Sequence, residues 1–391
     1  MVGLAMALAL APTGLRIALL DPQPAPPAAA TLRPEMGRAD FDPRVSALTP
    51  ASRSLLASLG VWQSLQELRV CPYTDMQVWD ADGTGSIHFS AAELHQPCLG
   101  YIVENSLVSA VLADAVRANA GIELLHASLV SYSTQGDTQL VTLAGGEHVR
   151  ARLLIGADGS NSQVRTLAGI ATKESNTGHR ALVTTARTER GHQSTAWQRF
   201  MQSGPLAFLP LHLPGAAVQA HSSIVWSCVP ELADELLALD DAQFARRLEI
   251  AFERRLGAVE AVAPRFAFPL WQKHASCYVQ PGLALIGDAA HTIHPLAGQG
   301  VNLGLADVRS LAAVLARSIA RGEDFASAQV LSRYQRERKA ANLGMLLAMD
   351  GFKHAFGSDD VHLRWLRNAG LKAADRLSPL KQALMKGAMG L

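Results

Sequence analysis

Cysteine is scarce: the 391 residues hold only Cys71, Cys98, Cys228 and Cys277, far apart and with no CxxC pair. That spacing argues against a disulfide framework or a zinc site and fits a reducing, cytosolic compartment. Excess charge is also lacking, since 35 Lys and Arg face 34 Asp and Glu for a net +1. Such a balance gives no support to a polyphosphate or nucleic-acid partner. No apolar run reaches the roughly 18 uninterrupted residues of a spanning helix. Internal repeats are missing, and the one biased segment is PQPAPPAAATLRP after Asp21, which cannot be regular structure. The apolar opening MVGLAMALALAPTGLRIALLD has no Lys or Arg before Arg16. It therefore lacks the basic n-region of a secretory leader. What remains is 49% hydrophobic and 18% charged, the balance of an ordinary globular enzyme with room for one large or two moderate cores.

The opening reads instead as an apolar helix ended by Gly14, a short buried strand over residues 15–20, and an acid, Asp21. Helix, glycine, strand and acid form the second half of a βαβ nucleotide-binding unit. Residues 41–48 lead into a helix capped by Thr49 or Ser52 and closed by Gly60. Residues 76–80 and 87–89 flank Asp82-Gly83 as a hairpin. Residues 105–119 form a helix with Leu107, Ala110, Val111 and Ala115 on one face. Strands follow at 121–124, 141–143 and 149–155, the last ending in GADGSNSQVR. From about residue 172 to 275 the texture becomes turn-rich strands (181–187, 206–211 and 222–228) with a helical run at 240–255. Nucleotide-type motifs resume at 283–288, and the chain is helical from Asp324 onward. The expected architecture is α/β, a discontinuous nucleotide-binding domain with a mainly-β layer inserted into it.

Three elements carry the chemistry. An acid at the tip of the second strand, Asp21, can accept hydrogen bonds from a ribose diol. The turn Gly156-Ala157-Asp158-Gly159 lets backbone approach a cofactor closely, or simply caps the following chain with Asp158. The longest motif is LALIGDAAHTIHPLAGQGVNLGLAD, residues 283–307. A strand ends at Gly287-Asp288, and an irregular segment then leads into a helix near Val301-Asn302. Its free amides and positive end suit an anion or an electron-rich ring. His291 and His294 lack a completing carboxylate or thiol, so no metal is expected.

Together, RVSAL, GADGSNSQVR and GDAAHTIHPLAGQGVNLG resemble the flavin-dependent aromatic hydroxylases, and within them the ubiquinone-biosynthesis hydroxylases. MQVWDADGTGSIHF, YIVENSLV, LAFLPL, SIVWS and KGAMGL extend the likeness along almost the whole chain. They resemble most the branch that hydroxylates C5 of a 2-polyprenylphenol. The resemblance implies a Rossmann-like (GR2-type) FAD-binding domain over residues 1–70, 96–171 and 276–345. A substrate domain would take 71–95 and 172–275, and a helical region 346–391.

It implies that Asp21 binds the adenosine ribose of FAD and Arg44 lies by the pyrophosphate or ribityl chain. Asn105 would lie near the adenine-side phosphates. Asp158 and Gly159 would serve FAD and a transient NAD(P)H, while Gly287 and Asp288 would hold the ribityl or pyrophosphate portion. Pro295, Gly298, Gln299, Gly300, Val301 and Asn302 would run along the isoalloxazine, with His294 assisting and no acid–base side chain required. The implied reaction consumes NAD(P)H and O₂ and passes through a flavin C4a-hydroperoxide. The family pattern opens with a strand and Gly-x-Gly-x-x-Gly, of which only Gly3 is present. The expectation is that Met1 is internal to a longer chain carrying the rest.

The implied substrate needs an apolar slot, for which Phe208, Leu209, Pro210 and Trp226 are candidate walls; packing of the layer's own core is the other reading. Partners implied are the polyprenylated phenol, O₂, a ubiquinone-synthesis complex and a second copy of the chain. Residues 351–391 hold seven Lys/Arg against three Asp, and Leu363, Leu366, Gly370, Ala373 and Leu377 share a helical face. Such a stretch suits the cytoplasmic face of a membrane or a helix packed on its own domain. Two further readings stay open: a hydroxylase of another ring position or aromatic substrate, and a flavin-poor scaffold subunit.

Overall fold

Helix α1 (Val2–Leu10) runs into a 3-10 turn and ends at Gly14, whose left-handed φ of 75° turns the chain into strand β1 (Ile17–Leu20). The structure, a computed structural model, describes residues 1–32, 39–81, 85–292, 300–357 and 378–390. Strand β2 (Val45–Leu48) precedes helices α2 (Pro50–Ser58) and α3 (Trp62–Gln66). The expected cap is Thr49, which accepts the Ser52 amide, and Gly60 closes the segment at a φ of 76°. Strands β3 (Val70–Tyr73), β4 (Asp75–Asp80), β5 (Ser86–Ser90) and β6 (Gly100–Glu104) lead into helix α4 (Asn105–Arg117). The hairpin of β4 and β5 forms, while its Asp82-Gly83 turn lies outside the described residues.

Strands β7 (Ile122–Leu125), β8 (Leu129–Gln135), β9 (Thr138–Leu143), β10 (His148–Ala151) and β11 (Leu154–Gly156) follow, then helix α5 (Gln163–Leu167). The single strand expected over 149–155 is in fact two. β10 closes a meander with β9, whereas β11 pairs in parallel with a strand some 130 residues later. Strands β12 (Thr172–Thr188), β13 (Thr195–Met201), β14 (Gly204–Pro210) and β15 (His221–Cys228) precede helices α6 (Pro230–Ala238) and α7 (Asp241–Ala251). Asp240 and Gln243 make a reciprocal capping box at α7, which satisfies two otherwise orphaned amides. Strands β16 (Val259–Val262), β17 (Phe266–Ala275), β18 (Val279–Gln280), β19 (Leu283–Leu285) and β20 (His291–Thr292) precede helices α8 (Gly300–Ala320), α9 (Ala328–Gly357) and α10 (Ser378–Met389).

The fold is mixed α/β. A parallel pair β1–β7 and the sheet β11-β19-β18 carry the nucleotide-type motifs. Helix α1 packs against α4 and α8, and Leu8, Leu107, Val111, Leu305, Val308 and Leu311 share one core. Strands β2, β6 and β3 form a small antiparallel sheet with β6 in the middle. A nine-stranded sheet runs β20-β17-β12-β15-β14-β13-β4-β5, with β16 beside β12. All its pairings are antiparallel except β13 with β4.

Successive residues of a strand point to opposite faces, so this sheet has two distinct sides. One buries Leu182, Leu206 and Ile224 under Leu236, Phe244 and Leu248 of α6 and α7. The other packs Ala196, Ala207 and Leu209 against Ala47, Cys71 and Ile102 of the small sheet. Burial of each face, at roughly 25 cal/mol per Å² of apolar surface, holds the two sheets and the helix layer together.

Candidate functional site

Glycines bring the motif residues together. A Cβ built on Gly304 would lie 2.7 Å from Val2 Cγ2 and 3.4 Å from Gly287 Cα. The first turns of α1 and α8 therefore meet at the Gly287 turn, where Gly287 itself has a left-handed φ of 59°. A Cβ on Gly3 would sit 3.4 Å from Ala157 and 3.7 Å from Leu19 Cδ1. Gly3 thus lies between the ends of β1 and β11, and beyond β1 stands exposed Asp21. The Asp21 carboxylate accepts the Gln23 amide at 3.0 Å. Positions 159 and 300 open onto free space, with nothing within 4 Å of a built Cβ.

The Asp158 turn is stiffened from within. Asp158 Oδ2 accepts the amides of Gln163 and Val164 at 2.7 and 3.1 Å, and Ser162 caps α5 by accepting the Arg165 amide. Asp158 thus fixes the turn locally, and Gly159 supplies the open edge. Arg165, which the sequence reading passed over, is buried and donates to Ala289 O at 2.9 Å and Ser160 O at 2.8 Å. It ties the 158–162 turn to the 287–289 turn. Arg165→Met should leave two carbonyls short of a donor and cost about 1–3 kcal/mol. The urea midpoint reads this directly, and an unchanged midpoint would contradict the bridging role.

Asp288 keeps open surface, yet burial of its carboxyl lifts it above the ordinary aspartate range; His291 opposes the rise and Asp307 adds to it. Asp307 is fully buried. Burial pushes its carboxyl up, but His291 and Arg338 outweigh that and hold it below its ordinary value. A depressed carboxylate contributes stability at neutral pH that is lost as pH falls through its folded value.

Arg44 is exposed at the head of β2, where its carbonyl accepts the Asn105 amide at 3.0 Å. Asn105 Oδ1 accepts Ser46 Oγ at 2.6 Å. Asn302 is committed to the framework: Nδ2 donates to Ala47 O at 2.7 Å, while Oδ1 accepts Thr49 N at 3.0 Å and Ser52 Oγ at 2.7 Å. Its side chain pins α8 to β2, leaving the backbone of Gly300, Val301 and Asn302 as the offering of that helix start. His294, Pro295, Gly298 and Gln299 lie outside the described residues, as do Leu363, Leu366, Gly370, Ala373 and Leu377.

Of the two readings of Phe208, Leu209, Pro210 and Trp226, burial of Phe208 and Trp226 favours packing of the layer's own core. Phe208 is 0% exposed, stacks on Phe252 at 3.7 Å between centroids, and shares a core with Trp226. Pro210 is buried at the same parity along β14, opposite Ser222. All three belong to the helix-facing side of the sheet, because alternate residues share a face and α6 and α7 cover that one. Leu209 looks the other way, with Ala207 and Val225, toward the small sheet.

Among the described residues no cluster of three His, Cys, Asp or Glu could hold a metal ion, and no helix is long and apolar enough to cross a membrane. What the site can hold is set by its shape. Gly3, Gly287 and Gly304 let α1, β1, the chain after β11 and α8 pack closely, while Gly159 in the Asp158 turn and Gly300 at the start of α8 leave backbone open, a cradle that a flat, anionic dinucleotide can approach. These residues fit FAD.

The FAD binding domain profile matches residues 2–346. The chain is 42% identical over 392 residues to the 3-demethoxyubiquinol 3-hydroxylase of Escherichia coli (strain K12), covering 100% of this chain and 96% of that one. It is 37% identical over 392 residues to the ubiquinone hydroxylase UbiL of Rhodospirillum rubrum, covering 100% of this chain and 87% of that one. Among solved structures, p-nitrophenol 4-monooxygenase PnpA of Pseudomonas putida DLL-E4 shares the fold at a TM-score of 0.75 and 20% identity, over 99% of this chain and 95% of that one.

Proposed function

The chain belongs to the FAD-dependent ubiquinone-biosynthesis hydroxylases, and on that premise we propose that it hydroxylates the aromatic ring of a polyprenylated phenol at C5. What supports an aromatic hydroxylase is full-length likeness to relatives named as hydroxylases of ubiquinone or of a demethoxyubiquinol, together with backbone left open at Gly159 and Gly300; C5 rests on the sequence resemblance alone. One O₂ and one NAD(P)H enter, and one oxygen atom leaves on the ring and the other as water. Bound FAD supplies the electron transfer and oxygen activation.

The chain's own residues bind and orient. Asp21 holds the ribose of the cofactor, and Gly3, Gly287 and Asp288 receive its pyrophosphate and ribityl portion. Arg44 and Asn105 flank that portion, and Asp158 and Gly159 border the path of NAD(P)H. The free amides at Gly300, Val301 and Asn302 stabilise negative charge on the ring side of the cofactor, since a helix N-terminus carries about half a positive charge. Segments 1–70, 96–171 and 276–345 serve the cofactor, and 71–95 with 172–275 serve the phenol. The substrate side of the inserted sheet is read as the Ala207, Leu209 and Val225 face, which turns toward β2 and β6 of the cofactor segments, rather than the helix-covered face of Phe208 and Trp226. A quinone-synthesis complex and contact with a membrane surface belong to the same proposal.

The test is direct. Purified chain should be yellow, oxidise NAD(P)H faster when a short-chain 2-polyprenylphenol is added, and yield a product heavier by one oxygen, located at C5 by NMR. Oxygen at another carbon would overturn the ring position, and a colourless protein that takes up no FAD would overturn the enzyme reading.

A further inference from the structure

Asp307, on α8, gathers donors from two other parts of the chain, the 287–291 segment and α9. Its Oδ2 accepts the Gly287 amide at 3.0 Å and His291 Nε2 at 2.5 Å, and its Oδ1 accepts Arg338 Nε at 2.7 Å. Arg338 comes from α9 and also donates to Asn342 Oδ1 at 2.8 Å. Tyr334, on the same helix and fully buried, donates its hydroxyl to Leu285 O at 2.8 Å, on the strand that feeds the turn. Segment 287–291 is thus held at both ends by one carboxylate, and the strand before it by a neighbour of that carboxylate's arginine.

A buried ion pair of this kind adds little net stability over well-packed apolar side chains. What it does provide is a fixed position: a carboxylate with four donors, Asn342 Nδ2 at 3.5 Å being the weakest, has one geometry, and the Gly287 amide is part of it. Gly287 is also the residue with the greatest backbone freedom in the turn. Left unheld, it would lose that freedom only when the cofactor arrived, and binding would bear the ordering cost.

We propose that Asp307, His291 and Arg338 form a clamp that pre-shapes the Gly287–Asp288 turn for the anionic part of the cofactor. They are positioning residues for FAD binding, acting through the Gly287 amide rather than by contact with the cofactor. The proposal rests on the reading of that turn as a cofactor contact.

The experiment titrates FAD into the apo form of the full chain, following quenching of flavin fluorescence, and melts each protein with and without FAD. His291→Asn should raise the FAD Kd about tenfold, the effect of one hydrogen bond lost from a preorganised site. Arg338→Lys, which keeps the charge but loses the forked donor, should be intermediate, and Asp307→Asn the most severe. In His291→Asn the apo form should melt close to the parent while the extra stabilisation by FAD shrinks, because bound ligand adds stability in proportion to its affinity. A merely structural role would instead lower both melting points and leave Kd alone, and that result would overturn the clamp. Asp288→Asn separates the two layers of the argument. Weaker binding in Asp288→Asn, with Kd unchanged in His291→Asn and Arg338→Lys, would overturn the clamp and retain the turn as a cofactor contact. Unchanged Kd in all three would overturn both.

Discussion

Phe208→Ala should lower the stability of the protein by about 3–5 kcal/mol, the range for removing a fully buried aromatic ring, and leave recognition of the phenol unaltered. The ring stacks on Phe252 at 3.7 Å and lies in the core that Leu206, Ile224 and Trp226 form with α6 and α7. Truncation opens a cavity that neither the sheet nor the helices can collapse around without disturbing several neighbours. Stacking adds to the loss, since offset aromatic pairs contribute roughly 0.5–1.5 kcal/mol beyond their burial. Urea unfolding gives the stability change, and steady-state rates taken below the transition give KM. A KM raised tenfold with an unmoved unfolding midpoint would return Phe208 to the substrate wall.

Gly304→Leu should produce the other large effect, loss of bound FAD. A Cβ at 304 already lies 2.7 Å from Val2 Cγ2, and the remaining atoms of leucine would press on the first turn of α1 beside Gly287. Overpacking of this kind costs about 1–3 kcal/mol, and if the strain falls on the cradle it weakens FAD on the order of tenfold to a hundredfold. The ratio of flavin to protein absorbance after gel filtration gives retention, and a fluorescence titration gives Kd. Full retention with a parental Kd would mean that α1 and α8 need not touch for the cofactor to bind.

Local chemistry made part of this molecule readable in advance. Gly14 and Gly60 end their segments in left-handed conformations, Thr49 caps α2, and Asp240 opens α7. Each depends only on residues within one turn, so a sequence window contains the whole cause. Strands β10 and β11 were joined in the sequence reading because their boundary is drawn by partners elsewhere, β9 for one and β19 for the other. The site was legible to the same extent. Gly287 and Asp288 stand out in a motif, whereas Asp307 and Arg338 are 31 residues apart in ordinary amphipathic helices, and only their shared burial marks them. Strand alternation puts Phe208 and Leu209 on opposite faces, so the four candidate walls could not all line one slot. Which face meets helices and which meets the small sheet is a tertiary fact, and the larger, more aromatic side proved to be the helix-covered one.

The contact between α1 and α8 also has a history in time. Val2 is made roughly three hundred residues before its neighbours Gly287 and Gly304, some tens of seconds at usual synthesis rates. Until then α1 can pack on α4 but not on α8, so the cofactor cradle closes only when α8 arrives, a non-local step of the kind that slows folding. A nascent chain halted before α8 should therefore engage holding chaperones through its first helix, and release should coincide with the synthesis of the segment that completes the flavin site.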